Sequence, residues 1–146
     1  VGLNEEAKLI NLLSNNCELN VKIVAGGMFL AAITIALGAF GAHGLKQIVS
    51  PEVVNTFEVG IRYQMYHAFA IILLGLIPMP NNKRNGILWN FVVGILFFSG
   101  SIYLLTLNDY LPFDAKKIGF ITPIGGVLLI NAWIRWAYGI LKESRN

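Results

Sequence analysis

The chain has 146 residues, 55% hydrophobic and 13% charged, with a net charge of +3 and a mean hydropathy of +0.63. A soluble domain carries roughly 25% charged residues, so the composition excludes an ordinary water-soluble fold, and the mild, scattered positive charge excludes a nucleic-acid footprint. The single cysteine, Cys17, excludes an internal disulfide and a cysteine-based metal site.

Four uncharged runs of roughly 15 to 24 residues match the ~20 residues that cross ~30 Å of hydrocarbon. The predicted class is all-α: a four-helix transmembrane bundle with a short N-terminal amphipathic segment and an interfacial helix before the second span. Spans are expected at about residues 23–42, 61–78, 86–107 and 121–141, between an N-terminal extension, 1–22, and a tail, 142–146. Val1 to Lys22 is mixed and polar, so no cleavable signal peptide is expected there.

Leu3, Ala7, Ile10 and Leu13 recur at helical spacing with Glu5, Glu6 and Lys8 between them. That pattern fits an amphipathic helix on a membrane or partner, or a partly ordered tail. The first span is dense in small residues. Gly38 and Ala42 stand at small-xxx-small spacing and Gly41 lies beside them, which in lipid lets helix backbones approach closely. Gly41-Ala42-His43-Gly44 ends this helix.

Ser50-Pro51-Glu52 is a helix start: a capping residue, a proline suited to the first position, and an acid at the positive end of the dipole. From Pro51 the pattern runs unbroken to Ile77, roughly 40 Å at ~1.5 Å per residue. That exceeds the hydrocarbon, so a surface segment, Pro51 to Val59, is expected to bend at Gly60 into the second span. Pro78 to Asn85 reads as a turn. The third span carries Phe97-Phe98 and Ser99-Gly100-Ser101, with Gly100 a further close-packing position. After a polar loop, Thr122-Pro123 opens the fourth helix, where Gly125 and Gly126 form another close-approach site. Trp133, Trp136 and Tyr138 are expected at the membrane interface and Arg135 is expected to snorkel.

Seven basic residues (Lys8, Lys22, Lys83, Arg84, Arg135, Lys142, Arg145) fall on the side of both termini, and four (Lys46, Arg62, Lys116, Lys117) on the other. This bias predicts cytoplasmic termini. His43, leaving the first span, and His67, entering the second, are then expected at similar depth. Glu58, Arg62 and Tyr66 form one stripe, in which Glu58 precedes Arg62 at ion-pair spacing, and Tyr63 and His67 form the next.

This polar cluster admits three readings. It satisfies helix ends and loop backbone; or Arg62, Tyr63, Tyr66 and His67 receive a lipid head group, a quinone or a partner; or His43 and His67 ligate a haem. Catalysis has little support: no phosphate loop, no metal-ligand spacing and no nucleophile–base pair occurs. No span carries a mid-membrane acid of the kind a transporter uses.

Four motifs occur in order: Gly38-Ala39-Phe40-Gly41-Ala42-His43-Gly44-Leu45, Phe57-Glu58-Val59-Gly60-Ile61-Arg62-Tyr63-Gln64-Met65-Tyr66-His67-Ala68, Phe98-Ser99-Gly100-Ser101-Ile102-Tyr103 and Ile121-Thr122-Pro123-Ile124-Gly125-Gly126. Together they resemble the domain-of-unknown-function-423 family, which includes the animal transmembrane protein 256, in a bacterial style. The resemblance covers about Val24 to Leu141. It implies a four-helix integral protein of the plasma membrane and no reaction.

The expected function is a non-enzymatic accessory or scaffold subunit, bound to membrane lipid and to itself or a larger complex, with no nucleic-acid partner, no metal and no required cofactor. The alternative is a redox, quinone- or lipid-binding protein using His43, Arg62, Tyr63 and His67.

Overall fold

The computed structural model describes residues 2–7 and 19–143 and contains no strand among them. Residues 2–7 are helical; the rest of the expected amphipathic segment, and Cys17, lie outside the described residues. Five further helices follow: α1 (Val21–His43), α2 (Pro51–Leu76), α3 (Asn81–Ile95), α4 (Ser101–Thr106) and α5 (Ile121–Glu143). A π-helical turn, Leu96–Gly100, joins α3 and α4 into one rod. Among the described residues, four rods are thus long and apolar enough to cross a membrane.

The rods pack in sequence: α1 along α2, α2 along the α3–α4 rod, and that rod along α5. The α1–α2 seam shows why. Thr34, Gly38 and Gly41 on α1 meet Gln64, Ile61 and Phe57 on α2, while Gly27 meets Ala68 and Ile72, and Gly75 meets Val24 and Asn20. Both faces advance by three and four residues, the spacing that keeps an antiparallel seam in register. A methyl group at Gly27 would stand 2.6 Å from Ile72 Cγ1 and 2.9 Å from Ile72 N. At Gly75 it would stand 2.9 Å from Val24 N. The contacts to Ile72 N and Val24 N are to backbone, where neighbours cannot yield. Lipid tails are as apolar as side chains, so cohesion comes from such close contact, not from water exclusion. Each atom pair adds only ~0.1–0.2 kcal/mol, and the sum depends on proximity.

The α3–α5 contact repeats the device. Gly94 lies against Leu129, and Gly125 lies directly against the backbone of Phe97 and Phe98. The π turn advances the phase of the rod by about one residue, ~100°. It thereby presents the Phe97–Phe98 backbone to α5 while Ser99 faces α2, donating to Gly60 O at 2.8 Å.

Several local expectations need correction. α2 continues unbroken through Gly60. Gly60 is not a bend but a crossing: a methyl group there would meet Tyr103 at 2.7 Å. α3 begins at Asn81, inside the stretch read as a turn. Ser50 has N-cap backbone geometry but makes no side-chain capping bond. Gly38 has Ile61 as its neighbour at 3.6 Å and Gly126 has Phe98 at 3.7 Å, ordinary contacts, while Gly41 faces Phe57 at 3.0 Å. Gly100 opens onto free space and Ala42 is exposed, so neither lies at a close crossing. Trp136 is buried in the core with Phe91, Leu129 and Ala132, whereas Trp133 and Tyr138 are exposed.

Gly27→Leu should therefore destabilise the protein by about 1–3 kcal/mol through overpacking. Gly26→Ala, where the added methyl meets nothing within 4 Å, should be neutral or stabilising by up to ~1 kcal/mol. Reversible unfolding in mixed micelles measures both.

Candidate functional site

Two polar groupings lie within the spans. The first ties three rods together near mid-membrane. Gln64 Nε2 donates to Thr34 Oγ1 at 2.8 Å, and Thr34 Oγ1 donates to Leu30 O at 2.7 Å. Tyr103 OH donates to Gln64 Oε1 at 3.0 Å. Ser101 and Thr122 share a 2.6 Å hydroxyl–hydroxyl bond that adds α5. Each group satisfies another, as polar groups within a span require.

The second grouping centres on His67, which is 5% exposed. Its Nδ1 lies 2.6 Å from Tyr63 O and its Nε2 accepts from Trp133 Nε1 at 3.2 Å. A carbonyl only accepts, so Nδ1 carries the proton and the ring is the neutral tautomer with both nitrogens engaged. Phe91 and Trp133 surround it, with ring centroids 5.6 Å and 6.2 Å away. Tyr63, Tyr66, His67, Phe98 and Trp133 line a groove of about 470 Å³ between α2 and α5. Tyr63 and Tyr66 form its rim, 42% and 58% exposed.

The structure thus brings Tyr63, Tyr66 and His67 together and leaves out the other expected members. Glu58 and Arg62 are exposed and line no part of this groove, and among the described residues no ion pair joins them. His43 is exposed at the end of α1. Because Thr34 pairs with Gln64 and Gly27 with Ala68, His67 is level with about residue 31. That is about twelve residues from His43, or ~18 Å along the axis. The two histidines do not share a depth, and one haem iron cannot be reached by both. Spacing along each helix does not set the level of α2 against α1; the Thr34–Gln64 bond does. Trp133 and Tyr103, the decisive partners, escaped notice because no spacing rule links α2 to α4 or α5. Among the described residues, no three His, Cys, Asp or Glu side chains gather as metal ligands.

At the far end of the bundle the loops are tied to each other. Tyr110 OH donates to Ile48 O, Asn108 Oδ1 accepts from Ala115 N, and Asp114 Oδ1 accepts from Lys116 N. Asp109, Asp114, Lys116 and Lys117 are exposed there.

The profile of the family described as "Protein of unknown function (DUF423)" matches residues 37–126. The matched region runs from the last turns of α1 to the first of α5, and holds Gln64, Tyr103 and His67 but not their partners Thr34 and Trp133. The chain belongs to the DUF423 family. Relatives in this family are called UPF0382 membrane proteins. That of Staphylococcus saprophyticus is 38% identical over 117 residues, 80% of this chain and 93% of the relative. That of Haemophilus influenzae is 40% identical over 112 residues, 75% and 86%. YwdK of Bacillus subtilis is 34% identical over 122 residues, 80% and 93%. No solved structure matches significantly. The DUF423 assignment makes this a small helical membrane protein.

Tyr103→Phe should cost about 0.6 kcal/mol, the mean for an interhelical hydrogen bond in lipid. Gln64→Leu should cost more, about 1–3 kcal/mol, since it strands the tyrosine hydroxyl. The double variant should cost less than the sum in the same unfolding assay. Natively purified protein should show no Soret band; a band abolished by His67→Ala would refute the placement of the two histidines.

Proposed function

We propose that this protein is a small accessory or scaffold subunit of the plasma membrane, working by packing its outer helices against partner helices. The single observation that carries this reading is the outward face of α1. Ala32, Ala36 and Ala39 are exposed there, at steps of four and three. In lipid such a face costs nothing to expose, but it suits close approach by another helix. Gln64 and the ring nitrogens of His67 already have partners inside the protein, which supports a structural role for them.

The charge distribution supports a fixed orientation. Between residues 19 and 142, Lys22, Lys83, Arg84, Arg135 and Lys142 lie at the end where α1 begins and α5 ends. The carboxylates of that stretch, Glu52, Glu58, Asp109 and Asp114, lie toward the other. The positive-inside rule puts the basic end, and with it both termini, in the cytoplasm.

Sizing in several mild detergents should give an assembly heavier than one chain, and a photoreactive residue at Ala36 in native membranes should attach to protein. Ala36→Leu should weaken the assembly. A lone chain in every detergent, with Ala36 attaching only to lipid, would sink the reading.

The groove beneath Tyr63, Tyr66 and Trp133 favours a second reading, binding of a quinone or lipid head group, because about 470 Å³ lies within the ~300–1,000 Å³ of small-molecule sites. A quinone titrated into nanodiscs should then quench the fluorescence of Trp133, and Tyr66→Phe should reduce the effect. Unchanged emission removes this reading.

A further inference from the structure

α2 carries two opposite charges on its outer face, at a level where the neighbouring rods carry none. Thr34 pairs with Gln64, Gly38 meets Ile61 and Gly41 meets Phe57, so Arg62 is level with about residue 36 of α1 and Glu58 with about residue 40. Gly60 meets Ile102 and Tyr103, which sets Arg62 level with about residue 100 of the third rod. Residues 23–42 and 85–108 hold no charged side chain. Arg62 thus lies about six residues, ~9 Å, inside the end of the α1 run.

Glu58 and Arg62 are exposed, and among the described residues neither side chain makes a hydrogen bond, an ion pair or a ring contact. A lone charge at such depth is costly, and charged residues within spans pair with one another. An anionic head group suits Arg62 poorly, because the Glu58 carboxylate stands one turn from it on the side from which the head group would approach. Tyr66, Phe69 and Leu73 continue the same exposed stripe toward the other end, so that the stripe advances by four, four, three and four residues from Glu58. That is the spacing with which one helix lies along another.

Such a stripe is complementary to itself. Two copies in one membrane share one orientation, because the basic bias of the chain acts equally on both. Their two-fold axis then runs along the membrane normal, and their α2 helices lie side by side in the same direction. Glu58 of either copy stands one turn, ~6 Å, from the level of Arg62 in the other, within reach of the long arginine side chain. A two-fold axis makes both such pairs at once. Opposite charges removed from water attract more strongly than they do in it, and four charges joined this way leave none facing hydrocarbon. We infer that the Glu58–Arg62–Tyr66–Phe69–Leu73 face of α2 is a homodimer surface, closed by reciprocal ion pairs between Glu58 of one copy and Arg62 of the other. The inference rests on the reading of this protein as a subunit that assembles through its outer helices, and names a second copy as the partner for a face other than that of Ala36.

The test uses full-length chains carrying two different affinity tags, expressed together and released from membranes in mild detergent. Wild-type copies should purify together. Glu58→Arg, which puts two arginines on the stripe, and Arg62→Glu, which puts two carboxylates there, should each lower recovery of the second tag about tenfold through like-charge contact. Glu58→Arg expressed with Arg62→Glu should restore it, since each copy then supplies what the other lacks. Phe69→Cys in a Cys17→Ser background should form a disulfide between copies on oxidation in native membranes, and Trp89→Cys, exposed on α3, should not. Both of these side chains face outward, so the cysteine pair carries the test if a charge reversal does not insert. Equal recovery in wild type and both reversals would assign Arg62 to head groups or to Glu58 of its own helix and overturn the surface. Failure of the mixed pair to restore recovery, or no disulfide at Phe69→Cys, would overturn it too. Attachment of Ala36 to a different protein while the tagged copies stay apart would overturn the homodimer and leave the subunit reading standing.

Discussion

Backbone approach between α1 and α2 is the contact on which this molecule depends. In water, burying apolar surface would drive the two helices together; in lipid that driving force is missing, and adhesion must come from atoms in contact. Gly27 and Gly75 provide it by giving up their own side chains, so that Ile72 and Val24 rest on backbone. Gly94 and Gly125 do the same between the third rod and α5. The rods are joined pair by pair along these seams, and the pairwise order is what leaves grooves on either side of the central α2.

The polar groups inside the bundle follow from the same solvent. Thr34, Gln64 and Tyr103 lie where no water can satisfy them, so each is bonded to the next. His67 uses both ring nitrogens on protein partners. A fully paired network near mid-membrane fixes which residues face each other across a seam otherwise made of interchangeable small side chains. The network thus serves register first, and the exposed faces are left for whatever the protein binds.

Charge completes the picture by making the two ends of an otherwise apolar object different. Between residues 19 and 142, five basic residues (Lys22, Lys83, Arg84, Arg135, Lys142) lie where α1 begins and α5 ends, and four (Lys46, Arg62, Lys116, Lys117) lie with Glu52, Glu58, Asp109 and Asp114 toward the opposite end. Arg84 is the extreme case, wholly buried yet anchored by Asn81 and Ile77 O.

Composition and run length alone determined that this is a four-span helical membrane protein, because crossing hydrocarbon demands about twenty apolar residues and a self-satisfied backbone. The motifs around Gly41 and Gln64 identified the family, and the small residues marked where helices meet. Tertiary structure decided depth and partnership. His43 and His67 belong to different levels because the Thr34–Gln64 bond and the Gly27–Ala68 contact set the register of α1 against α2. The pairing of His67 with Trp133 and of Gln64 with Tyr103 joins residues far apart in the chain. Helical periodicity orders residues only within one rod; which rod stands beside which, and with what phase after the Leu96–Gly100 turn, is settled by packing.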